Sequence, residues 1–351
     1  MEIVLVYLGK KKLPKYVIEN LKYLKRTFPK NIITLISENS QNLTKAKELG
    51  VNVYQCTDFY SVAPKEYLQK APDLKFRGGY WYLTFARFFA LNEYCEEFNR
   101  SNILHLESDV LLMENFPFDK FSKINGLGFP LVNQGYAAAS ILFIRNHSAI
   151  SILCDFTKER IYANPELTDM YILGSSDLAE RVEVTYLPTA FGGAKHFQNW
   201  VNQIDRENLC KDVSEFGGIF DGISWGQYLA GEDPRNHYGI RKLYRNQTAH
   251  SIAINSFKIF FLNHELYVSS ESELYKIYSL HIHSKDKRLF IAKNNYAFLK
   301  DRVIRSKNGQ YSEIVWVTAF KFFPLRAKNI SKKLVRRVLK KKIKKLTSFQ
   351  K

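Results

Sequence analysis

Two carboxylates, Glu107 and Asp109, follow directly on the short apolar run Ile103–Leu106 and are separated by one small residue. The run is typical of a buried strand, so the acids are expected where that strand ends. Like charges this close repel each other, and a cation between them relieves the repulsion. Mg²⁺ and Mn²⁺ take oxygen ligands, usually carboxylates together with substrate phosphates. The pair therefore predicts a site for Mn²⁺ or Mg²⁺, with solvated acids at an ordinary turn as the alternative.

Cationic and imidazole side chains that suit such a site occur before and after the acids. Arg87 lies among apolar residues on a predicted helix over 84–97, where a buried guanidinium needs a carboxylate or phosphate partner. His281 and His283 are two residues apart, which on one strand would place both on the same face. We expect one of these two histidines to ligate the metal, with the choice left open, and Lys285 to hold a phosphate.

Further acids stand at two places in the second half of the chain. Asp169 lies at a predicted helix start, 60 residues after Asp109. Asp221 and Gln227 lie in the glycine-rich segment 217–229, where glycine lets the backbone approach a ligand closely. An acid at a helix start also has a purely structural use, because it favours the helix dipole. The residue types alone leave both readings open.

The elements that must position these residues alternate along the first sixty residues. Strands are predicted at 2–8, 31–37 and 51–54, and helices at 14–28 and 45–49; a later apolar strand is predicted at 137–144. Short links between alternating strands and helices imply a parallel βαβαβ unit. Ligands of such sheets bind beyond the carboxyl ends of the strands. Tyr7, Gly9 and Glu38 are therefore expected at the edge of the site.

Composition and cysteine usage limit the classes of protein. A chain of 351 residues with 46% hydrophobic residues can fill the core of one large α/β domain, with or without appendages. Its four cysteines are widely spaced without a C-x-x-C pair, which predicts free thiols in a core. The N-terminus has no signal-peptide pattern and no stretch approaches the roughly 20 apolar residues of a membrane span. We expect the protein to work in the cytoplasm.

The positive charge is concentrated at the C-terminus. Residues 321–351 contain 13 Lys or Arg and no acid, whereas the rest of the chain has 39 basic and 34 acidic residues. An apolar stripe repeats there at helical spacing, formed by Ile330, Leu334, Val335, Val338, Leu339, Ile343 and Leu346. A basic amphipathic helix suits an anionic membrane surface. We therefore predict a membrane-associating tail over 313–351, with nucleic-acid binding or packing on the domain as the less favoured readings.

An apolar strand that ends in acid-x-acid resembles the DXD signature of the GT-A glycosyltransferases, here with Glu107 in place of the first Asp. The order of elements over roughly 2–290 is similar to that family as well. The resemblance implies a divalent cation that bridges Glu107, Asp109 and the diphosphate of a nucleotide-sugar, with a C-terminal histidine as third ligand. It implies that Arg87 faces the nucleotide and the acids. Asp169 stands where inverting members carry their base, and Asp221 with Gln227 where retaining members surround the donor sugar.

These observations lead to one prediction for the whole chain. We expect a GT-A-like mixed α/β sheet flanked by helices over 1–312, with a nucleotide-binding half to about 115, followed by a basic amphipathic helix. The expected activity is sugar transfer from a nucleotide diphospho-sugar to a saccharide or lipid-linked saccharide, in bacterial surface-polysaccharide synthesis at the inner face of the membrane. A nucleotidyltransferase of similar fold is the rival, although Gly9–Lys12 has one glycine where such enzymes carry a glycine-rich loop. A non-enzymatic membrane or nucleic-acid binder is the other alternative.

Overall fold

The computed structural model describes residues 1–9, 11–58, 80–133, 135–230, 251–262, 265–270, 273–285 and 287–291. Within these residues a large mixed sheet is flanked by helices, which is the fold class that the sequence predicts. The predicted basic tail and the predicted boundary at residue 312 lie outside the described residues.

The first half of the large sheet is parallel. Its elements are β1 (Glu2–Val6), α1 (Lys15–Thr27), β2 (Ile32–Ser37), α2 (Ser40–Lys47), β3 (Asn52–Gln55), α3 (Tyr80–Glu97) and β4 (Ile103–Leu106). β1 pairs in parallel with β2 on one side and with β4 on the other, and β3 extends the sheet beyond β2. The apolar residues at the centre of β1 are fully buried, as expected of a parallel strand covered on both faces. The predicted βαβαβ unit is confirmed.

The second half of the sheet is mixed. After β5 (Val110–Leu112), which lies outside this sheet, its elements are β6 (Leu127–Asn133), β7 (Tyr136–Ala137), β8 (Ile141–Ile144), α4 (His147–Ala163), α5 (Asp169–Leu173), α6 (Ser176–Ala179) and β9 (Val184–Leu187). β8 runs antiparallel to both β4 and β6, while β9 joins β6 in parallel. The strand order is β3-β2-β1-β4-β8-β6-β7, with β9 beside β6.

The remaining elements form two small sheets and connect them to the large one. They are α7 (Gln203–Cys210), α8 (Val213–Phe216), β10 (Gly218–Ile219), α9 (Ser224–Ala230), β11 (Lys258–Leu262), β12 (Glu265–Ser269), β13 (Leu274–Ile277) and β14 (Ser279–His281). Short 3₁₀ segments lie at Phe118–Lys123, Ala194–His196, Ile254–Ser256 and Lys287–Phe290. One small sheet has the order β10-β13-β12-β11. In the other, β14 pairs antiparallel with β5, so that a strand near residue 280 is fixed beside the acidic segment.

Several local predictions were wrong in their bounds. The helix predicted at 45–49 begins earlier, at Ser40, because the Asn39 side chain accepts backbone N–H bonds from Gln41 and Asn42 and caps it. The apolar run predicted as one strand at 137–144 is divided between β7 and β8. A continuous apolar run does not reveal where a chain leaves one strand and enters the next.

The cysteines behave as the sequence predicts. All four are free thiols, and Cys56, Cys95 and Cys154 are buried in the apolar core. Among the described helices, none is both long enough and apolar enough to cross a bilayer.

Candidate active site

The acidic pair lies in the tight connection between β4 and β5. The Glu107 N–H donates to the Ser140 carbonyl oxygen at 3.1 Å, and the Val110 N–H donates to the Glu107 carbonyl oxygen at 3.0 Å. Asp109 is 7% exposed and directly precedes β5. Since β4 lies beside β1 at the centre of the sheet, both carboxylates stand at the carboxyl edge of the parallel strands.

Arg87 joins this pair to a third carboxylate. The guanidinium is 7% exposed on α3, and its two terminal nitrogens donate to Glu107 and to Asp169. Asp169, also buried, is the first residue of α5. The partner that a buried arginine requires is thus supplied twice, once from the end of β4 and once from α5. Asp169 belongs to the same cluster of charges as the acidic pair.

His281 closes the other side of the cluster. Its Nε2 is 3.0 Å from Glu107 Oε2 and 3.5 Å from Asp109 Oδ1. One ligand atom from each of these three residues lies within 4.8 Å of the others. The pairing of β14 with β5 produces this arrangement, because His281 stands opposite Val110.

The two histidines occupy different environments. The prediction that both share one face of a strand is wrong, because β14 ends at His281 and the His283 N–H turns back to the His281 carbonyl oxygen at 3.0 Å. The His283 ring stacks on the His281 ring with centroids 3.9 Å apart. Among the described residues its buried Nε2 has no hydrogen-bond partner, and it lies outside their three-residue group of possible ligands. His281 alone of the pair faces the carboxylates.

Lys285 approaches the pair from the segment after β14. Its Nζ lies 2.5 Å from Asp109 Oδ2, and its backbone adopts a left-handed φ of 53°. Glu107, Asp109 and Asp169 are therefore surrounded by Arg87, Lys285 and His281. Because these groups come from separate elements, the tertiary fold is what collects them.

Burial and neighbouring charges act in opposite directions on these groups. Burial raises the pKa of Glu107, but Arg87 and His281 outweigh it, so the pKa is lowered. For Asp109, burial is likewise outweighed by Lys285 and His281, which lower the pKa well below its usual range. For Asp169, burial outweighs the opposing effect of Arg87, and the pKa is raised. The pair flanking Ser108 thus stays ionised, as metal ligands must, while Asp169 holds a proton more readily than an ordinary aspartate.

His281 and His283 differ in pKa as well as in position. Burial lowers the pKa of His281, but the Asp109 and Glu107 carboxylates raise it well above its usual range. Burial and the neighbouring His281 lower the pKa of His283. The pKa values of the two stacked rings are therefore shifted in opposite directions.

The predicted donor-binding residues of the first strands lie together at the edge of the large sheet. Gly9 adopts a φ of 101°, and its N–H donates to Glu38 Oε1 at 2.5 Å. Burial raises the pKa of Glu38, whose other carboxylate oxygen is buried and has no hydrogen-bond partner within the part of the chain that the structure describes. Tyr7 continues the line of β1, with its N–H donating to the Ile36 carbonyl oxygen at 2.9 Å. A side chain at residue 9 would be strained by this backbone conformation.

Asp221 and Gln227 flank the start of α9. Asp221 is fully buried, and its carboxylate accepts backbone N–H bonds, one of them from His281 at 2.8 Å. Gln227 is half-buried on the helix itself. Sequence reasoning missed Gly222 and Gly226: the Gly222 carbonyl oxygen lies 3.1 Å from His281 Nδ1, and a Cβ at Gly226 would lie 2.1 Å from the His281 carbonyl oxygen. The dense glycine spacing was the available signal, although it predicted approach to a ligand rather than to a strand.

Comparison with known proteins gives weak structural similarities. No protein-family model matches the chain, and no curated protein does. A structure of an active-site mutant of LgtC is 17% identical, over 60% of this chain and 84% of that one, with a TM-score of 0.39. PaToxG glycosyltransferase is 12% identical, over 51% and 68%, with a TM-score of 0.35. A cytidylyltransferase from Leptospira borgpetersenii is 13% identical, over 53% and 78%, with a TM-score of 0.29.

Proposed function

We propose that this protein is a glycosyltransferase that takes a sugar from a nucleotide diphospho-sugar and requires a divalent cation. The observation that carries the proposal is the convergence of Glu107, Asp109 and His281, whose possible ligand atoms lie within 4.8 Å of one another at the carboxyl edge of the sheet. That edge is where α/β sheets bind their ligands. The acid-x-acid strand end and its resemblance to the GT-A signature point to the same class.

Glu107, Asp109 and His281 together form a set of ligands that fits Mn²⁺ or Mg²⁺. Carboxylate oxygens suit both ions, and the imidazole of His281 adds a ligand that favours Mn²⁺. When bound, the cation would neutralise negative charge on the leaving diphosphate. The pKa values of Glu107 and Asp109 are lowered. The Nδ1 of His281 lies 3.1 Å from the Gly222 carbonyl oxygen, which leaves Nε2 directed at the carboxylates. Such a contact on the far nitrogen commonly orients a metal-binding histidine.

The other charged groups have distinct proposed roles. Arg87 holds Glu107 and Asp169 at fixed positions through its two terminal nitrogens. Lys285 neutralises Asp109 in the absence of a ligand and can donate to a phosphate when one arrives. Asp169 is the candidate for the group that accepts the acceptor's hydroxyl proton, because its raised pKa favours proton uptake.

The nucleoside part of the donor is proposed to bind along the ends of β1 and β2. Tyr7, Gly9 and Glu38 lie at that edge, and the second oxygen of Glu38 can accept a hydrogen bond. Gln227, on α9, is proposed to contact the donor sugar.

The proposal is tested with a panel of nucleotide-sugars, with and without Mn²⁺, by measuring release of nucleoside diphosphate. We expect release to require the metal and to fall by about 10²–10³-fold in Asp109→Asn, since a Lewis-acid contribution amounts to several kcal/mol. Glu265→Gln is the matched control, because that carboxylate also pairs with a lysine, Lys276, at 2.9 Å but lies in the second sheet.

The product distinguishes the rival enzyme class. A nucleotidyltransferase would release pyrophosphate from a nucleoside triphosphate and leave nucleotide-sugars intact. Metal-dependent release of nucleoside diphosphate that is unchanged in Asp109→Asn would contradict the proposed site.

The acceptor and the cellular place of the reaction are proposed from the tail. The basic stripe over 326–351 suits an anionic membrane surface, where each Lys or Arg contributes about 1 kcal/mol. We infer a lipid-linked saccharide acceptor in bacterial surface-polysaccharide synthesis at the inner face of the membrane. Deletion of 326–351 should abolish binding to anionic liposomes while soluble donor turnover is kept. Retained liposome binding would remove the support for this part of the proposal.

A further inference from the structure

The fully buried carboxylate of Asp221 lies between the start of α9 and the end of β14. Oδ1 accepts the Trp225 N–H at 2.9 Å, and Oδ2 accepts the Gly226 N–H at 2.6 Å. Oδ2 also accepts the His281 N–H at 2.8 Å. The carboxylate therefore joins a helix start to the residue that faces the acidic pair.

This environment is poorly suited to a catalytic base. Asp221 is 0% exposed, and both of its oxygens are engaged by backbone donors. A Cβ at Gly226 would lie only 2.6 Å from Oδ2, so that side is filled by backbone. An acceptor hydroxyl would have to displace these contacts to reach the carboxylate.

The same contacts fix His281 from several directions. Asp221 holds its N–H, the Gly222 carbonyl oxygen faces its Nδ1, and Gly226 packs against its carbonyl group. The Asp221 N–H in turn donates to Ser279 Oγ at 3.1 Å, which ties the loop to β14 a second time. The remaining ring nitrogen of the imidazole is Nε2, which points at Glu107 and Asp109.

We propose that Asp221 is a positioning residue that orients His281 toward the metal-binding carboxylates. This inference rests on the proposed function of that site and assigns to Asp221 a role other than proton transfer or sugar binding. Groups that orient a metal ligand typically contribute 10–100-fold to metal affinity.

The test measures Mn²⁺ binding to the full chain by electron paramagnetic resonance, together with thermal unfolding. In Asp221→Asn the new amide group faces backbone N–H donors, and we expect the Kd for Mn²⁺ to rise by about 10–100-fold. Asp205→Asn is the matched control, because Asp205 is also a buried aspartate near a helix start, but its helix packs on β6 and β9. The Kd of the Asp205→Asn variant for Mn²⁺ should be unchanged.

A double-mutant cycle separates positioning from a general loss of structure. If Asp221 acts through His281, the change Asp221→Asn made in a His281→Ala background should not weaken Mn²⁺ binding further. If Asp221→Asn raises the Kd for Mn²⁺ by the same factor in the wild-type and in the His281→Ala background, the inference is overturned. If Asp221→Asn does not fold, Ser279→Ala replaces it. The loss of one hydrogen bond to the Asp221 backbone should then raise the Kd by about 2–10-fold, and no change would again overturn the inference.

Failure of the inference can be told from failure of the proposed function. If the wild-type chain binds no Mn²⁺, the metal site itself is refuted. If the wild type binds Mn²⁺ and Asp221→Asn binds it equally well, the positioning role alone is refuted.

Discussion

Buried carboxylates lie at both ends of the paired strands β1 and β4, and their surroundings differ. At the amino end, Glu2 is a single acid that accepts hydrogen bonds from the hydroxyls of Thr34 and Tyr94, with Arg100 at 3.6 Å. At the carboxyl end, the three acids described above crowd together and require cationic groups from α3, β14 and the segment after it. A lone carboxylate with hydroxyl partners stabilises a fold at little cost. Crowded carboxylates repel one another and need cationic groups drawn from separate elements, and such clusters of perturbed acids are typical of functional sites.

The largest effect is expected from replacing Glu107, the first acid of the pair at the carboxyl end of the strands. In Glu107→Gln the site loses one metal ligand and one partner each for Arg87 and His281. We expect donor turnover to fall by about 10²–10³-fold, comparable to the loss of one preorganised electrostatic contact. Unfolding monitored by circular dichroism should also show a loss of stability, because the lowered pKa of Glu107 means that Arg87 and His281 stabilise its charge in the folded protein. A large loss of stability with retained turnover would place Glu107 with the structural acids.

Filling the space beside His281 should disturb the site through its backbone. Gly226→Ala places a Cβ 2.1 Å from the His281 carbonyl oxygen, so α9 and β14 must separate. We expect a loss of about 1–3 kcal/mol in unfolding free energy, together with weaker Mn²⁺ binding. Gly193→Ala is the control, since nothing lies within 4 Å of its added Cβ. Equal effects of the two changes in denaturant titration would contradict the close packing.

Removing Glu2, the acid at the amino end, should lower stability without affecting the metal site. Glu2→Ala leaves the hydroxyls of Thr34 and Tyr94 without their acceptor, and we expect a loss of about 1–3 kcal/mol in unfolding free energy. The KM for donor and the Kd for Mn²⁺ should be unchanged. Glu19→Ala, which breaks a surface pair with Lys22, should cost less than about 1 kcal/mol. A change in metal affinity for Glu2→Ala would mean that the two ends are coupled.

The smallest effect is expected for the labelling of two buried thiols, one near each end of the strands. Burial raises the pKa of Cys95, near Glu2, and of Cys56, near Glu38, to about 12 in each case. At pH 8 the native protein should therefore contain about 10³-fold less thiolate at these sites than the unfolded chain, and labelling should be slow below pH 12. Mass spectrometry after iodoacetamide treatment, native and denatured, measures this. Rapid labelling of Cys56 alone would show that the carboxyl end opens more readily.

The local pattern of the sequence determined much of the fold and part of the site. Apolar runs with short links predicted the parallel strands, because burial on both faces selects continuous hydrophobic residues. The acids placed after β4, and Arg87 placed inside an apolar helix, predicted partners of opposite charge, because buried charges must be compensated. That a carboxylate pair would stand at the carboxyl edge follows from the same reasoning.

Only the tertiary structure decided which distant residues join the pair. Lys285 and Asp109 are 176 residues apart, and no local periodicity reports such a contact. The separation of His281 from His283 depends on where β14 ends, which its pairing with β5 fixes. The surroundings of Asp221 likewise depend on how closely two glycines let α9 approach β14. Sequence specifies the chemistry of each side chain, whereas long-range strand pairing and backbone packing specify which of them meet.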